Sequence, residues 1–243
     1  MLTDMNDNSK LPKYQQLRNE IARGIKSGEI TNDERLLSER ALANKMGFAR
    51  MTVREALLML EGEGLISRRE NRGWYVDSKR IRYNPVNHLN MYKLIKKQGG
   101  EPGNISFGWH ETKASSSIAR MMNCDPGTEL LFHSSVVLWD DRKIAYDENY
   151  LLKSYFPEFL ASEYKPPITD FLDARFGVLT KQVGFRARPT PLYGLVSKKL
   201  DVTAGSPGIF ITRTKAHNKK IVQVDRDFWL SGGMEIVVGQ FPH

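Results

Sequence analysis

Arg50, Thr52 and Arg54 have the side-chain types and the spacing that reading DNA requires. A guanidinium group can donate two hydrogen bonds to a guanine, and a hydroxyl group can bond to a base or a phosphate. The residues from Met51 to Leu60 repeat at helical spacing, which predicts a helix with one apolar face. That face consists of Val53, Ala56, Leu57 and Leu60. The polar residues fall opposite it or at its leading end, as in a recognition helix.

Other chemistries have little support in the sequence. Cys124 is the single cysteine, and the 5 histidines are isolated from one another. The sequence contains no His-Glu-x-x-His or Cys-x-x-Cys spacing and no glycine-rich phosphate loop. We therefore predict no catalytic residue, no metal site and no cofactor, and we expect the protein not to be an enzyme.

The recognition helix needs a supporting helix before it. Ser38 can cap a helix whose apolar residues are Ala41, Leu42 and Met46, and Gly47 can end that helix at a turn. Two short strands should follow the recognition helix, over 65–69 and 73–76, joined by a polar tip at 70–72. This order predicts a winged helix-turn-helix whose wing lies over the phosphate backbone.

Arginines on an amphipathic helix pair are more often only solvated, so their number in this segment matters. Basic residues outnumber acidic ones between positions 35 and 54, where only Glu39 is acidic. The basic residues are Arg35, Arg40, Lys45, Arg50 and Arg54. A one-sided excess of this kind favours a polyanionic partner, and we therefore predict binding to double-stranded DNA.

The segment resembles the DNA-binding domain of the GntR family of bacterial transcription regulators. Four motifs carry the resemblance: Leu37-Ser38-Glu39-Arg40, Ala49-Arg50-Met51-Thr52-Val53-Arg54, Glu61-Gly62-Glu63-Gly64-Leu65-Ile66 and Asn71-Arg72-Gly73-Trp74. The resemblance implies that the DNA contacts are Arg40, Arg50, Thr52, Arg54, Arg72 and Gly73. Leu37, Ala49 and Trp74 depart from the family pattern, which has a proline, a serine or threonine, and a threonine there. The Ala49 change removes one possible hydroxyl contact to a phosphate.

Length and composition fit a two-domain cytoplasmic protein. The chain has 243 residues and a net charge of +8, which suits DNA but would also suit a membrane surface or simple solubility. No apolar run approaches the roughly 20 residues of a spanning helix, and the opening residues do not resemble a signal peptide. We expect a winged-helix domain over 1–78, a linker over 79–86, and a second domain over 87–243.

The second domain contains an internal repeat. Residues 116–151 and 195–230 each pair a short helical piece with a long hairpin, whose turns fall at 140–142 and 218–220. A helix that follows Pro167 lies between the two copies. The pattern predicts an α+β fold, in which both hairpins share one antiparallel sheet and a pocket forms where the half-repeats meet.

This half resembles the UTRA effector-binding domain of the HutC-type GntR branch, whose fold is like that of chorismate lyase. The segments 83–102 and 224–229 look most like members found with phosphonate-utilisation genes. Branch members that sense phosphosugars carry an Arg-x-Arg pair on the first strand, a serine opening the middle helix and a glutamate on the return strand. Of these, only the glutamate carries over, as Glu148. We expect the effector to contact Glu148, Ser134, Ser135, Asp225 and Trp229.

Losing the arginine pair weakens a phosphosugar interpretation, because a buried phosphate needs charge-assisted donors. We therefore expect a homodimeric, ligand-responsive repressor that binds a palindromic operator and senses an amine-bearing metabolite, related to a phosphonate or an amino acid. Two alternatives remain open at this point. The second domain could serve only for dimerisation, or it could be a lyase-like enzyme with a DNA-binding appendage.

Overall fold

Three helices and a two-stranded hairpin form the amino-terminal head. The computed structural model describes residues 11–77, 79–86, 90–165 and 167–239. The head comprises α1 (Lys13–Ser27), α2 (Glu39–Met46), α3 (Arg50–Gly62), β1 (Ile66–Arg69) and β2 (Gly73–Val76). β1 and β2 pair antiparallel and make the wing. This order confirms the predicted winged helix-turn-helix.

Local sequence signals fix the ends of these helices. The Ser38 hydroxyl accepts a hydrogen bond from the Ala41 amide at 3.2 Å, which caps α2. Gly47 ends α2 with φ of 64°, a left-handed conformation that glycine adopts without strain. Ala49 occupies the cap position of α3 and makes no side-chain hydrogen bond there. α3 therefore begins without the cap that α2 has.

Six antiparallel strands form the sheet of the second domain, in the order β4-β5-β6-β9-β8-β7. The strands are β4 (Pro102–Lys113), β5 (Glu129–Trp139), β6 (Arg142–Leu152), β7 (Lys181–Leu192), β8 (Ser206–His217) and β9 (Lys220–Leu230). β6 and β9 pair at the centre, with Ala145 opposite Trp229. The two predicted hairpins thus share one sheet, and each has one further strand outside it.

Both hairpin turns have the backbone that tight two-residue turns need. Asp140 and Asp141 have φ of 50° and 63°, and Asn218 and Lys219 have φ of 47° and 67°. Two successive positive φ values match the right-handed twist of the flanking strands. Aspartate and asparagine tolerate this conformation better than most residues, which explains why the turns fall where the sequence predicts them.

Helices cover both faces of this sheet. α5 (Ser116–Met122) and α7 (Gly194–Leu200) pack on one face, where Ile118 and Leu200 are buried. α4 (Met91–Lys97) and α6 (Ile168–Phe176) belong to the clusters on the other face, together with two short 3-10 turns at Lys153–Tyr155 and Phe159–Ala161. The structure confirms the predicted α+β class.

Part of the segment expected to be a linker is built into the second domain. Residues 81–83 form β3 (Ile81–Tyr83), which pairs in parallel with β10 (Met234–Ile236). Ile81 is fully buried and Tyr83 nearly so. Residues 81–83 form a strand because this conformation buries two of the three side chains, Ile81 and Tyr83, on one face. The connection between the domains is therefore short.

Candidate DNA interface and effector cavity

The leading end of α3 is exposed while its opposite side is buried. The Arg50 side chain is 72% exposed, and its Nε lies 3.4 Å from Glu39 Oε2 at the start of α2. Val53, Ala56 and Leu57 are fully buried beneath it. The helix is thus held by its apolar side, and the two helix starts lie together at the surface.

The other predicted DNA contacts are also on the head. Arg40, Arg54 and Arg72 are exposed, and Thr52 is half-buried. Gly73 has φ of 97°, and a side chain there would come within 3.6 Å of the Arg35 guanidinium. Arg35 therefore lies beside the wing and joins the candidate interface. Its position before α2 gave no sequence signal beyond its charge.

A cavity of about 460 Å³ lies over the face of the sheet that carries α4 and α6. Charged and amide side chains from the central strands form its floor, and aromatic residues contribute to its walls. The floor residues are Ser135, Asp147, Asn149, Arg213, Lys215, Asp225 and Asp227. The aromatic residues include Tyr83, Tyr92, His133, Tyr164 and Trp229. The volume suits a small metabolite.

Two of the three floor aspartates are paired with cations. Asp225 Oδ2 lies 2.9 Å from Lys215 Nζ, and Asp227 Oδ2 lies 2.8 Å from Arg213 Nη2. Burial alone would raise the pKa of Asp225, but Lys215 and Arg213 hold it below its ordinary value. Burial raises the pKa of Asp227 to about 7, despite the opposing charge of Arg213. Arg213 and Lys215 are thus already engaged within the protein.

Asp147 differs from the other two, because its hydrogen-bond donors are neutral. Ser135 Oγ donates at 2.6 Å and Asn149 Nδ2 donates at 2.8 Å. Burial raises the pKa of Asp147, and those two hydrogen bonds only partly oppose the shift. A carboxylate without a direct cation in a cavity gains most from a ligand that brings a positive charge or a hydrogen-bond donor.

The structure brings together three of the five residues expected to contact an effector, namely Ser135, Asp225 and Trp229. Ser134 and Glu148 lie opposite one another in the β5–β6 register, away from the cavity lining. Glu148 Oε2 lies 3.3 Å from Arg226 Nη1 instead. Alternate residues of a strand point to opposite faces, so Asp147 takes the place in the cavity that the sequence analysis gives to Glu148.

His133 is a cavity residue that the sequence analysis did not select. Its ring stacks on Trp109 with centroids 4.8 Å apart, and Nε2 lies 2.8 Å from Ser106 Oγ. Burial lowers the pKa of His133 to about 4, so the ring is neutral near pH 7. Residues two apart on a strand share a face, so the selection of Ser135 could also have indicated His133.

Three buried polar atoms of cavity-lining residues have no hydrogen-bond partner among the residues that the structure describes. These atoms are Trp229 Nε1, Thr180 Oγ1 and Arg213 Nε. The indole N–H can only donate, and the hydroxyl can donate or accept. Each of these atoms could donate to an acceptor group of a ligand, which would satisfy its hydrogen bonding.

Comparison with known families supports this division of the chain. The model for bacterial regulatory proteins of the gntR family matches residues 13–76, which are the head. The model for the UTRA domain matches residues 97–231, which is more than half of the chain and contains the whole sheet. The chain belongs to the GntR family and carries a UTRA domain. It is thus of the HutC type, a DNA-binding regulator and not an enzyme.

Relatives of this GntR-family chain match it over most of their length. It is 29% identical to the uncharacterized regulator YihL of Escherichia coli, over 91% of the chain and 94% of YihL. It is 24% identical to the transcriptional repressor NagR of Bacillus subtilis, over 92% of the chain and 95% of NagR. A histidine utilization repressor of Pseudomonas putida is 25% identical over 63% of the chain and 62% of that protein.

A solved structure shows the same fold. PhnF from Mycobacterium smegmatis superposes with a TM-score of 0.63 at 19% identity, covering 93% of this chain and 100% of PhnF. No helix among the described residues of the GntR-family chain is long and apolar enough to cross a membrane.

Proposed function

We propose that the protein is a transcriptional repressor that binds a palindromic operator as a homodimer and is controlled by a small amine-bearing metabolite. The single observation that carries the effector assignment is Asp147, a cavity carboxylate whose two hydrogen-bond donors are neutral. The DNA-binding activity and the existence of an effector site follow from the family. The operator symmetry, the ligand class and the sign of regulation are the proposal.

The cavity favours a ligand with a cationic group and an acceptor group. Asp147 would bind the ammonium group, since a buried carboxylate makes strong charge-assisted hydrogen bonds. Trp229 Nε1 or Thr180 Oγ1, which lie towards different ends of the cavity, would donate to a carboxylate or phosphonate oxygen of such a ligand. A zwitterion such as an amino acid or an aminophosphonate has both groups.

A phosphosugar fits this cavity less well. At the positions where phosphosugar sensors carry two arginines on the first strand, this chain has no arginine between His133 and Asp140. Arg213 does face the cavity, but its charge is already offset by Asp227 and Asp225, so it attracts a phosphate less than an unpaired arginine would. NagR and the histidine utilization repressor are repressors, which supports the proposed sign of regulation.

The proposed DNA contacts rest on the exposed start of α3. Arg50 and Arg54 are exposed and would enter a major groove, with Arg40 and Thr52 close to the phosphates. The wing residues Arg72 and Gly73 would follow the backbone beside Arg35. One head covers few base pairs, so two heads on a palindrome would supply the specificity.

Two measurements test the proposal. Selection from a random duplex pool should return a palindrome, and gel-shift titration should show that the protein prefers it to a scrambled duplex. Thermal-shift screening should then show stabilisation by amino acids or aminophosphonates and little by glucosamine-6-phosphate. A dimer that binds the palindrome but is stabilised by none of these ligands would favour a domain that only dimerises.

A further inference from the structure

Asp77 of the head is buried in an ion pair with the UTRA domain. Arg142 Nη1 lies 2.7 Å from Asp77 Oδ1, and the two side chains are 8% and 2% exposed. The Nη2 atom of Arg142 donates to the Lys79 carbonyl at 2.8 Å. A buried ion pair needs good geometry to offset its desolvation, so the orientation of the two groups is closely restricted.

Glu61, in the last turn of α3, is the second head carboxylate in this interface. It is 7% exposed, and Ser206 Oγ donates to its Oε1 atom at 3.1 Å. Ser231 Oγ donates to the Glu61 carbonyl at 3.3 Å. Burial raises the pKa of Glu61, which reflects the cost of holding the carboxyl group there. The recognition helix itself is thus attached to the UTRA domain.

Two glycines allow the domains to approach this closely. A Cβ on Gly232 would lie 2.5 Å from the Gly64 carbonyl oxygen and 2.8 Å from Asp77 Cβ. No side chain fits between these backbones. The wing is bonded as well, because the Thr203 amide donates to the Arg68 carbonyl at 3.1 Å.

These contacts fall at the ends of the strands that line the cavity. Arg142 begins β6, which carries Asp147 to the cavity floor. Ser206 begins β8, which carries Arg213, and Ser231 directly follows β9. Antiparallel pairing places the start of β6, the end of β9 and the start of β8 at one end of the sheet. Three strands, β6, β8 and β9, therefore run from the contacts with the head to the cavity floor.

We propose that the Asp77–Arg142 pair and the Glu61–Ser206 hydrogen bond form a clamp that fixes the head to the cavity strands, and that effector occupancy reaches the DNA through this clamp. The inference rests on the proposed function, because it assigns the regulation of that site. A ligand on the floor that shifts β6, β8 or β9 moves the clamp residues directly. Tyr83, in the connecting strand β3, also lines the cavity.

The clamp leaves the leading end of α3 exposed. Arg50 stays exposed at the leading end of α3, while the contacts with the UTRA domain involve the other end of the helix. In a dimer, two clamped heads have a fixed spacing, which raises the effective concentration of the second head at its half-site. Loosening the clamp should weaken binding to the palindrome and leave binding to one half-site unchanged.

The test compares full-length variants on two duplexes, the selected palindrome and a single half-site. Ser206→Ala removes the donor to Glu61, and Gly232→Ala forces the domains apart. Each should lower the ratio of half-site Kd to palindrome Kd by threefold or more. Matched controls are Ser116→Ala, at an exposed serine, and Gly62→Ala, where a Cβ meets no atom within 4 Å. Both controls should keep the wild-type ratio.

A ratio that falls by less than threefold in both variants would overturn the clamp. If Gly232→Ala does not fold, Ser206→Ala decides alone, since it changes no backbone. A wild-type protein that does not distinguish the palindrome from a scrambled duplex would instead refute the proposed function. Binding to the scrambled duplex therefore distinguishes a failure of the clamp from a failure of the proposed palindromic operator.

Discussion

Asp147 and Glu148 are neighbours on β6, yet only Asp147 lines the cavity, while Glu148 pairs with Arg226. The two residues offer a matched pair of substitutions with the same charge change. We expect Asp147→Asn to abolish the thermal stabilisation by an amine-bearing ligand and Glu148→Gln to retain it, because only the first carboxylate can meet the ligand. Ligand-dependent melting measures both. The reverse pattern would return the effector contact to Glu148.

Arg50 and Arg54 should determine operator choice without supporting the fold. We expect Arg50→Ala or Arg54→Ala to weaken binding to the selected duplex by about 1–3 kcal/mol each, if each reads a base with two hydrogen bonds. Binding to scrambled DNA should fall much less. Arg120→Ala, an exposed arginine on α5, controls for the loss of charge. Gel-shift titration on both duplexes gives the comparison, and unchanged discrimination would remove these arginines from the interface.

Ala49 leaves the start of α3 uncapped although its backbone, with φ of −63° and ψ of 144°, suits a capping residue. Ala49→Ser should stabilise the protein by about 1 kcal/mol, because a serine oxygen there can accept a free backbone N–H. Ser38→Ala is the reverse change and should cost about as much, since it removes the bond to Ala41. Chemical denaturation measures both. A neutral or destabilising Ala49→Ser would show that the cap cannot form.

His133 should make stability depend on acidic pH. Burial lowers its pKa to about 4 from the ordinary 6.5, so the unfolded state binds more protons between these values. Stability therefore falls as pH falls through that window, by about 2 kcal/mol between pH 7.5 and 5 for this residue. His133→Gln should remove that part of the slope, whereas His110→Gln, at an exposed histidine, should not. Denaturation at several pH values tests this, and equal slopes in all three proteins would contradict it.

The position of β3 sets where an isolated UTRA domain must begin. A fragment starting at Lys79 keeps Ile81 and Tyr83, and we expect it to fold and to sediment as a dimer. A fragment starting at Pro85 loses both buried side chains and should be less stable by roughly 3 kcal/mol or more. A monomeric Lys79 fragment beside a dimeric full-length chain would move the dimer interface to the head.

Sequence reasoning reached furthest where one local pattern determines one element. The cap at Ser38, the turn at Gly47 and the apolar face of α3 are each encoded within a few residues, and the head has them. The hairpin turns at 140–141 and 218–219 were equally local. The helix after Pro167 also lies where the sequence predicts it.

The cavity was harder to predict because it depends on strand register. A shift of one residue exchanges the two faces of a strand, and the sequence alone does not fix whether Asp147 or Glu148 faces inward. Arg213 and Asp227 meet only because β8 pairs with β9. The burial of Asp77 and Glu61 depends on contacts between domains, on partners 65 and 145 residues away, which no local pattern encodes.

The pairing of β3 with β10 also limits the order in which parts of the protein can fold during synthesis. The head has all of its own elements once residue 76 has left the ribosome, and it can fold while the rest is still being made. β3 must wait for Met234–Ile236, more than 150 residues later. A chain cut short before residue 234 would have a complete DNA-binding head, but β3 would have no strand to pair with. A late nonsense mutation is therefore expected to weaken the connection between the domains, although the clamp residues Arg142 and Ser206 are retained.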